Sequence, residues 1–136
     1  MAFTHQFTII CDDIRREDNG KLVIIGMYAP DIIIPQIPFV LPSLAVLVCL
    51  RCDRPGTWNF RFKLATLETG KAMVEGMGQV SVEAPGYAYV PFKFGAAQFQ
   101  AAGTYTFTVD IDEHREPIIS QFNVVLRIPV APKQQQ

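Results

Sequence analysis

Apolar and polar positions alternate with a period of two along most of this chain, the pattern of strands that bury one face and wet the other. The clearest run is TWNFRFKLATL, residues 57 to 67. Trp58, Phe60, Phe62 and Leu64 share one parity there, and Asn59, Arg61 and Lys63 the other. The N-terminal run predicts a strand with Phe3, His5, Phe7, Ile9 and Cys11 on one largely apolar face, so His5 is expected as a core or interface histidine. LVIIGMY, residues 22 to 28, is apolar at both parities and predicts a central or covered strand. SLAVLVCLRC, residues 43 to 52, predicts another strand. In residues 72 to 84, Val80 and Val82 alternate with Gln79, Ser81 and Glu83, while Gly76 and Gly78 suggest a bulge or an edge. Pro91 has no N–H to give a neighbour, so YAYVPFKF, residues 87 to 94, reads as an edge strand or a bulged one. Two late strands place Tyr105, Phe107, Val109 and Ile111, then Phe122, Val124, Leu126 and Ile128, inward.

Turn chemistry punctuates these runs. Asn19-Gly20, the stretch DRPGT from Asp53, Glu68-Thr69-Gly70-Lys71 and Pro85-Gly86 each mark a reversal. AAQFQAA, residues 96 to 102, followed by Gly103, predicts a single helical turn. About eight or nine short strands at intervals near ten residues predict an all-β fold, an antiparallel β-sandwich with Greek-key connections. A closed β-barrel is the alternative, and proline-interrupted strands fit open edges better. Residues 1–128 read as a single domain and residues 129–136 as a polar frayed tail.

Composition agrees with strands: 13 Ile and 12 Val against 8 Leu, with 10 Phe, favour pleated half-buried surfaces over helices. The chain is 49% apolar with a formal charge of −1, which excludes a disordered polyelectrolyte and supplies no field for nucleic acid. Three cysteines cannot all pair within the chain, and Met1 to Gln6 shows no basic head or apolar leader, so a cytoplasmic protein is expected rather than a secreted one. Ile32 to Leu50 is long and apolar, but Pro35, Pro38 and Pro42 suit strands around a corner, so no membrane span is expected.

Chemistry-bearing patterns are few. Cys49 and Cys52 have the spacing of a zinc ribbon or redox pair, yet residues three apart in a strand point to opposite faces and no second pair exists. Asp12, Asp13, Asp110 and Asp112 could hold calcium if loops at one end of the sandwich gathered them, although Asp110 and Asp112 also read as an ordinary solvated strand exit. Ser43, Ser81 and Ser120 stand in no nucleophile elbow, and His114, in the charged turn DEHREP, is expected to be solvated. No catalytic constellation and no cofactor motif is present, so no enzyme and no cofactor are expected. The corner from Pro30 to Pro42 is more apolar than a free loop. It either folds over an open end of the sandwich as a lid, the favoured reading, or offers Ile33, Ile34, Ile37, Phe39 and Leu41 to a protein partner.

The run CDDIRREDNGK followed by LVIIGMY and the proline-rich stretch resembles a family of small uncharacterised bacterial and phage-linked proteins known only as a domain of unknown function, chiefly over residues 7 to 52. GAAQFQAAGTYTFTVDID is similar to a pattern of immunoglobulin-like sandwiches, in which Phe, Gly and Tyr-x-Phe recur. The resemblance implies a compact cytoplasmic β-sandwich and brings no catalytic residues. The function expected is protein–protein contact or self-association, as an assembly or accessory module; a calcium- or small-ligand-binding sandwich is the second reading.

Overall fold

Nine strands account for the architecture seen in a computed structural model, which describes residues 2–29 and 31–128. They are β1 (Phe3–Arg16), β2 (Leu22–Met27), β3 (Asp31–Ile34), β4 (Phe39–Cys52), β5 (Gly56–Thr66), β6 (Ala72–Val82), β7 (Gly86–Phe99), β8 (Gly103–Ile111) and β9 (Ile118–Leu126). Pairing sorts them into a four-stranded sheet, β2-β1-β4-β7, and a five-stranded sheet, β3-β9-β8-β5-β6. Hairpins join β1 to β2, β5 to β6 and β8 to β9, and the remaining connections cross between sheets. Among the described residues β2, β7, β3 and β6 each pair on one side only, so the all-β chain is an open sandwich and not a closed barrel.

The alternation read from the sequence builds the core. Val46, Val48 and Leu50 of β4 and Phe92 of β7 face Trp58, Phe60 and Leu64 of β5 and Tyr105, Phe107 and Val109 of β8. Phe92 meets Phe107 edge-on at 4.9 Å and Phe62 at 5.1 Å, and Tyr105 stacks on Phe122 at 5.7 Å. Gly76 and Gly78 lie across from Phe62 and Phe60, and the two rings occupy the space that a Cβ would need. The edge or bulge expected there is an edge, and Pro91 likewise sits on the edge strand β7.

Several expectations are corrected. The sandwich is not antiparallel throughout, because the short β3 runs parallel to β9. Residues 96 to 99 continue β7 instead of forming a helical turn: Ala97 and Phe99 alternate inward and pair with Leu41 and Phe39, and burying two side chains outweighs a one-turn helix. β2 is an edge strand and not a central one. Leu22 and Ile24 pack on a small cluster of Cys11, Ile14, Ala45 and Leu47, while Ile25 and Met27 are exposed. A register shift between His5 and Phe7 flips the parity of β1, so Phe3 enters the main core while Phe7 turns to the opposite face. His5 is exposed and its Nε2 lies 2.8 Å from Thr8 Oγ1. The last strand's inward face stops at Val124, since Leu126 and Ile128 are exposed. The expected tail, residues 129–136, and Pro30 lie outside the described residues. No helix among the described residues is long and apolar enough to cross a membrane.

Candidate interaction face

The two sheets turn different surfaces outward. On the five-stranded sheet most outward positions are polar, Asn59, Arg61 and Lys63 of β5, Glu75 and Gln79 of β6, Thr106, Thr108 and Asp110 of β8, and Gln121 and Asn123 of β9, with Met77 of β6, Ile119 of β9 and Ile33 of β3 exposed among them. Arg61 lies opposite Asp110, Gln79 Nε2 donates to Asn59 Oδ1 at 2.9 Å, and Thr104 Oγ1 donates to Asn123 Oδ1 at 2.9 Å. Polar side chains dominate this surface.

The four-stranded sheet is the reverse. Register defines three cross-strand rows on its outer face: Phe7–Cys49–Tyr89, Ile9–Leu47–Pro91 and Cys11–Ala45–Lys93. Met27 of β2 extends the Cys11 row, and Tyr87 stands beside Arg51, whose guanidinium lies 5.9 Å from its ring centroid. The central positions Ala45, Leu47 and Cys49 are buried by their flanking strands. The flanking aromatics are open, with Phe7 41%, Tyr89 47% and Tyr87 60% exposed and Met27 59%. The rings of Phe7 and Tyr89 approach to 6.3 Å over Cys49, whose thiol burial holds above its ordinary range. At the rim, Asp13 bonds Arg15 at 3.2 Å and lies 3.8 Å from Lys93, and Arg15 together with the Ile14 N–H holds its carboxyl below the usual range.

The sequence-derived candidates are distributed elsewhere. Asp12 and Asp13 belong to the four-stranded sheet, Asp110 to the five-stranded one and Asp112 to the turn after it. Asp12 accepts from the Tyr28 hydroxyl, and its backbone carbonyl accepts from Ser43 at 2.6 Å. Among the described residues no three His, Cys, Asp or Glu side chains gather as a metal site. Cys49 and Cys52 point to opposite faces of β4, Cys52 into the main core, and burial raises all three thiols, including that of Cys11. The corner is mostly strand: β3 joins the five-stranded sheet and β4 begins at Phe39. Ile34 is fully buried and so is unavailable to a partner, Phe39 and Leu41 pack on the core, and Ile33 and Ile37 are exposed. The lid expected there is thus a pair of strand ends.

Two other features draw notice. A cleft of about 720 Å³ opens between the ends of β6 and β7, floored by Met73, Val74, Ala97 and Tyr105, with Lys71 and Gln98 on its exposed rim. Tyr105 Oη donates to the Ala101 carbonyl at 2.6 Å and so pins one wall. At the opposite end, Trp58 Nε1 donates to Glu113 Oε2 at 3.1 Å, and Glu113 sits at φ 68°, a left-handed conformation uncommon outside glycine. His114, expected to be solvated, is half-buried with its ring 6.5 Å from Phe3.

The outer face of the four-stranded sheet is not legible from alternation alone. The parity flip in β1 turns Phe7 outward, and YAYVPFKF is apolar at both parities, so alternation does not mark Tyr87 and Tyr89 as outward. That double parity was the available signal.

Comparison with protein families finds that one described as "Family of unknown function (DUF6941)" matches residues 6–125. Comparison with curated proteins finds no match. Among solved structures, the crystal structure of the C-terminal domain of wzt is similar at 9% identity and a TM-score of 0.49, over 96% of this chain and 75% of that one.

Proposed function

The chain belongs to the family of unknown function DUF6941, and from that premise we propose that it is a contact module, a small all-β domain that acts by laying the outer face of its four-stranded sheet on a protein partner. The observation that carries this is the contrast between the two outer faces, one mostly polar with Met77, Ile119 and Ile33 as its exposed apolar side chains, and one exposing Phe7, Tyr87, Tyr89 and Met27 around a buried apolar centre. From Ala45 to Arg51 and from β2 to β7 the apolar face measures about 20 Å by about 15 Å at usual strand spacings. That is on the scale of patches that mark interaction sites in soluble proteins. Tyr, Phe and Met are the residue types enriched in interface centres, where rigid rings contribute area with little entropy loss. Binding rather than catalysis is the work proposed, and three unpaired, buried thiols suit a reducing compartment inside the cell.

The experiment is affinity capture from the source cell with the wild-type chain and with Phe7→Ser/Tyr89→Ser as bait. The expected result is a protein held by the first and lost from the second, with unchanged circular dichroism. Identical capture by both baits, or no specific capture by either, would overturn the reading.

A further inference from the structure

Among the described residues each of the four sheet edges exposes unpaired backbone groups, and natural sandwiches block such edges with short strands, prolines, lysines or kinks. Three of these edges are blocked. β3 is four residues long, β7 carries Pro91 and a kink at Gly95 (φ 67°), and β2 is six residues long with Gly26 at φ 64°. β6 is not. It runs eleven residues without proline or lysine, and its register with β5 is unbroken from Val82 to Val74. Its outward side carries Met77, 79% exposed, the most exposed large apolar side chain among the described residues.

We infer that β6 is an interface for a second copy of this chain, two β6 edges pairing antiparallel about a two-fold axis at Met77 to join the five-stranded sheets into one of ten. The register that overlaps all eleven residues centres on Met77 and fixes every opposition. Glu75, the strand's single charge, meets Gln79 of the second copy, and the two Met77 side chains meet on the axis. Lys71, one residue before the strand, lies toward Glu83 of the second copy, one residue after it, at both ends. On the inner side glycine meets glycine, Gly76 with Gly78, where the Phe62 and Phe60 rings already fill the space. No like charges oppose one another, whereas a register centred on Glu75 would set two carboxylates face to face. An isologous contact requires this self-complementarity; a foreign strand does not. The inference goes beyond the contact-module reading, since it uses the other sheet.

Sedimentation equilibrium across a concentration series tests it. An edge-only contact lies at the small end of interfaces, so a dissociation constant on the order of 0.1 mM is expected. Gln79→Lys, which places opposite charges at both symmetric positions, should tighten association about two- to thirtyfold, and Gln79→Glu should weaken it by a similar factor. Met77→Lys, which sets two ammonium groups on the axis, should weaken it roughly tenfold or more while the exposed site leaves thermal unfolding unchanged. A wild-type chain that stays monomeric at millimolar concentration overturns the inference. So does association indifferent to all three substitutions. Partner capture by the Phe7→Ser/Tyr89→Ser bait reads a separate surface, so the two proposals fail independently.

Discussion

Replacing Gly78 by valine sets two opposed effects against each other. Gly78 lies mid-strand on β6 with ordinary extended backbone, so a β-branched residue should gain up to about 1 kcal/mol in strand propensity. A Cβ there would sit 2.7 Å from Phe60 Cζ, closer than side chains approach. Phe60 is nearly buried, with Phe92 at 5.5 Å and Phe62 at 6.3 Å, so its ring has nowhere empty to go. Overpacking of this kind costs about 1–3 kcal/mol, and disturbed aromatic contacts add about 0.5–1.5 kcal/mol. The cost wins, and Gly78→Val should destabilise by about 1–3 kcal/mol, lowering Tm by roughly 3–10 °C for a domain of this size. Urea and thermal unfolding by circular dichroism measure it. In a Phe60→Ala background the same substitution should become neutral or stabilising, giving a coupling of at least about 1 kcal/mol in a double-mutant cycle. A single variant as stable as the wild type, or additive effects in the cycle, would refute the argument that a ring stands in for the missing side chain.

Two further outcomes are expected. Because burial raises all three thiols and the Phe7 and Tyr89 rings cover Cys49, native protein should react with a disulfide reagent at neutral pH only as fast as it opens. Phe7→Ala should speed labelling of Cys49 by about tenfold, and equal rates would show that the rings do not shield it. The carboxyl of Asp13 is held below its ordinary range, first by Arg15 and then by the Ile14 N–H, so its contribution is present above the unfolded carboxylate range near pH 4 and is lost as pH falls through the folded value. Asp13→Asn should therefore flatten the acid limb of the stability curve and leave its alkaline limb unchanged; an unaltered acid limb would count against the pairing.

How much was legible follows from which forces are local. Alternation is written residue by residue, so the strands, their turns and the inward faces of β5 and β8 could be read directly, as Trp58, Phe60 and Leu64 or Tyr105, Phe107 and Val109 show. The Asn19-Gly20 and Thr69-Gly70 turns were legible for the same reason, since a left-handed position calls for glycine: φ is 87° at Gly20 and 69° at Gly70. What the sequence determined alone was therefore a set of strands and their punctuation. Only the tertiary structure decided that β2 became an edge, that the edge or bulge expected at β6 and β7 was an edge, and which faces stayed bare. One register shift after His5 reversed the parity of β1 and moved Phe7 from the expected inward face to the outer one. Pairing with Phe39 and Leu41, distant in sequence, turned a supposed helical turn into the end of β7. Partnership between strands is a non-local choice settled by the area the whole sandwich can bury, and for that reason the apolar outer face came into view only with the fold, which also settled the edge or bulge expected at Gly76 and Gly78 as an edge.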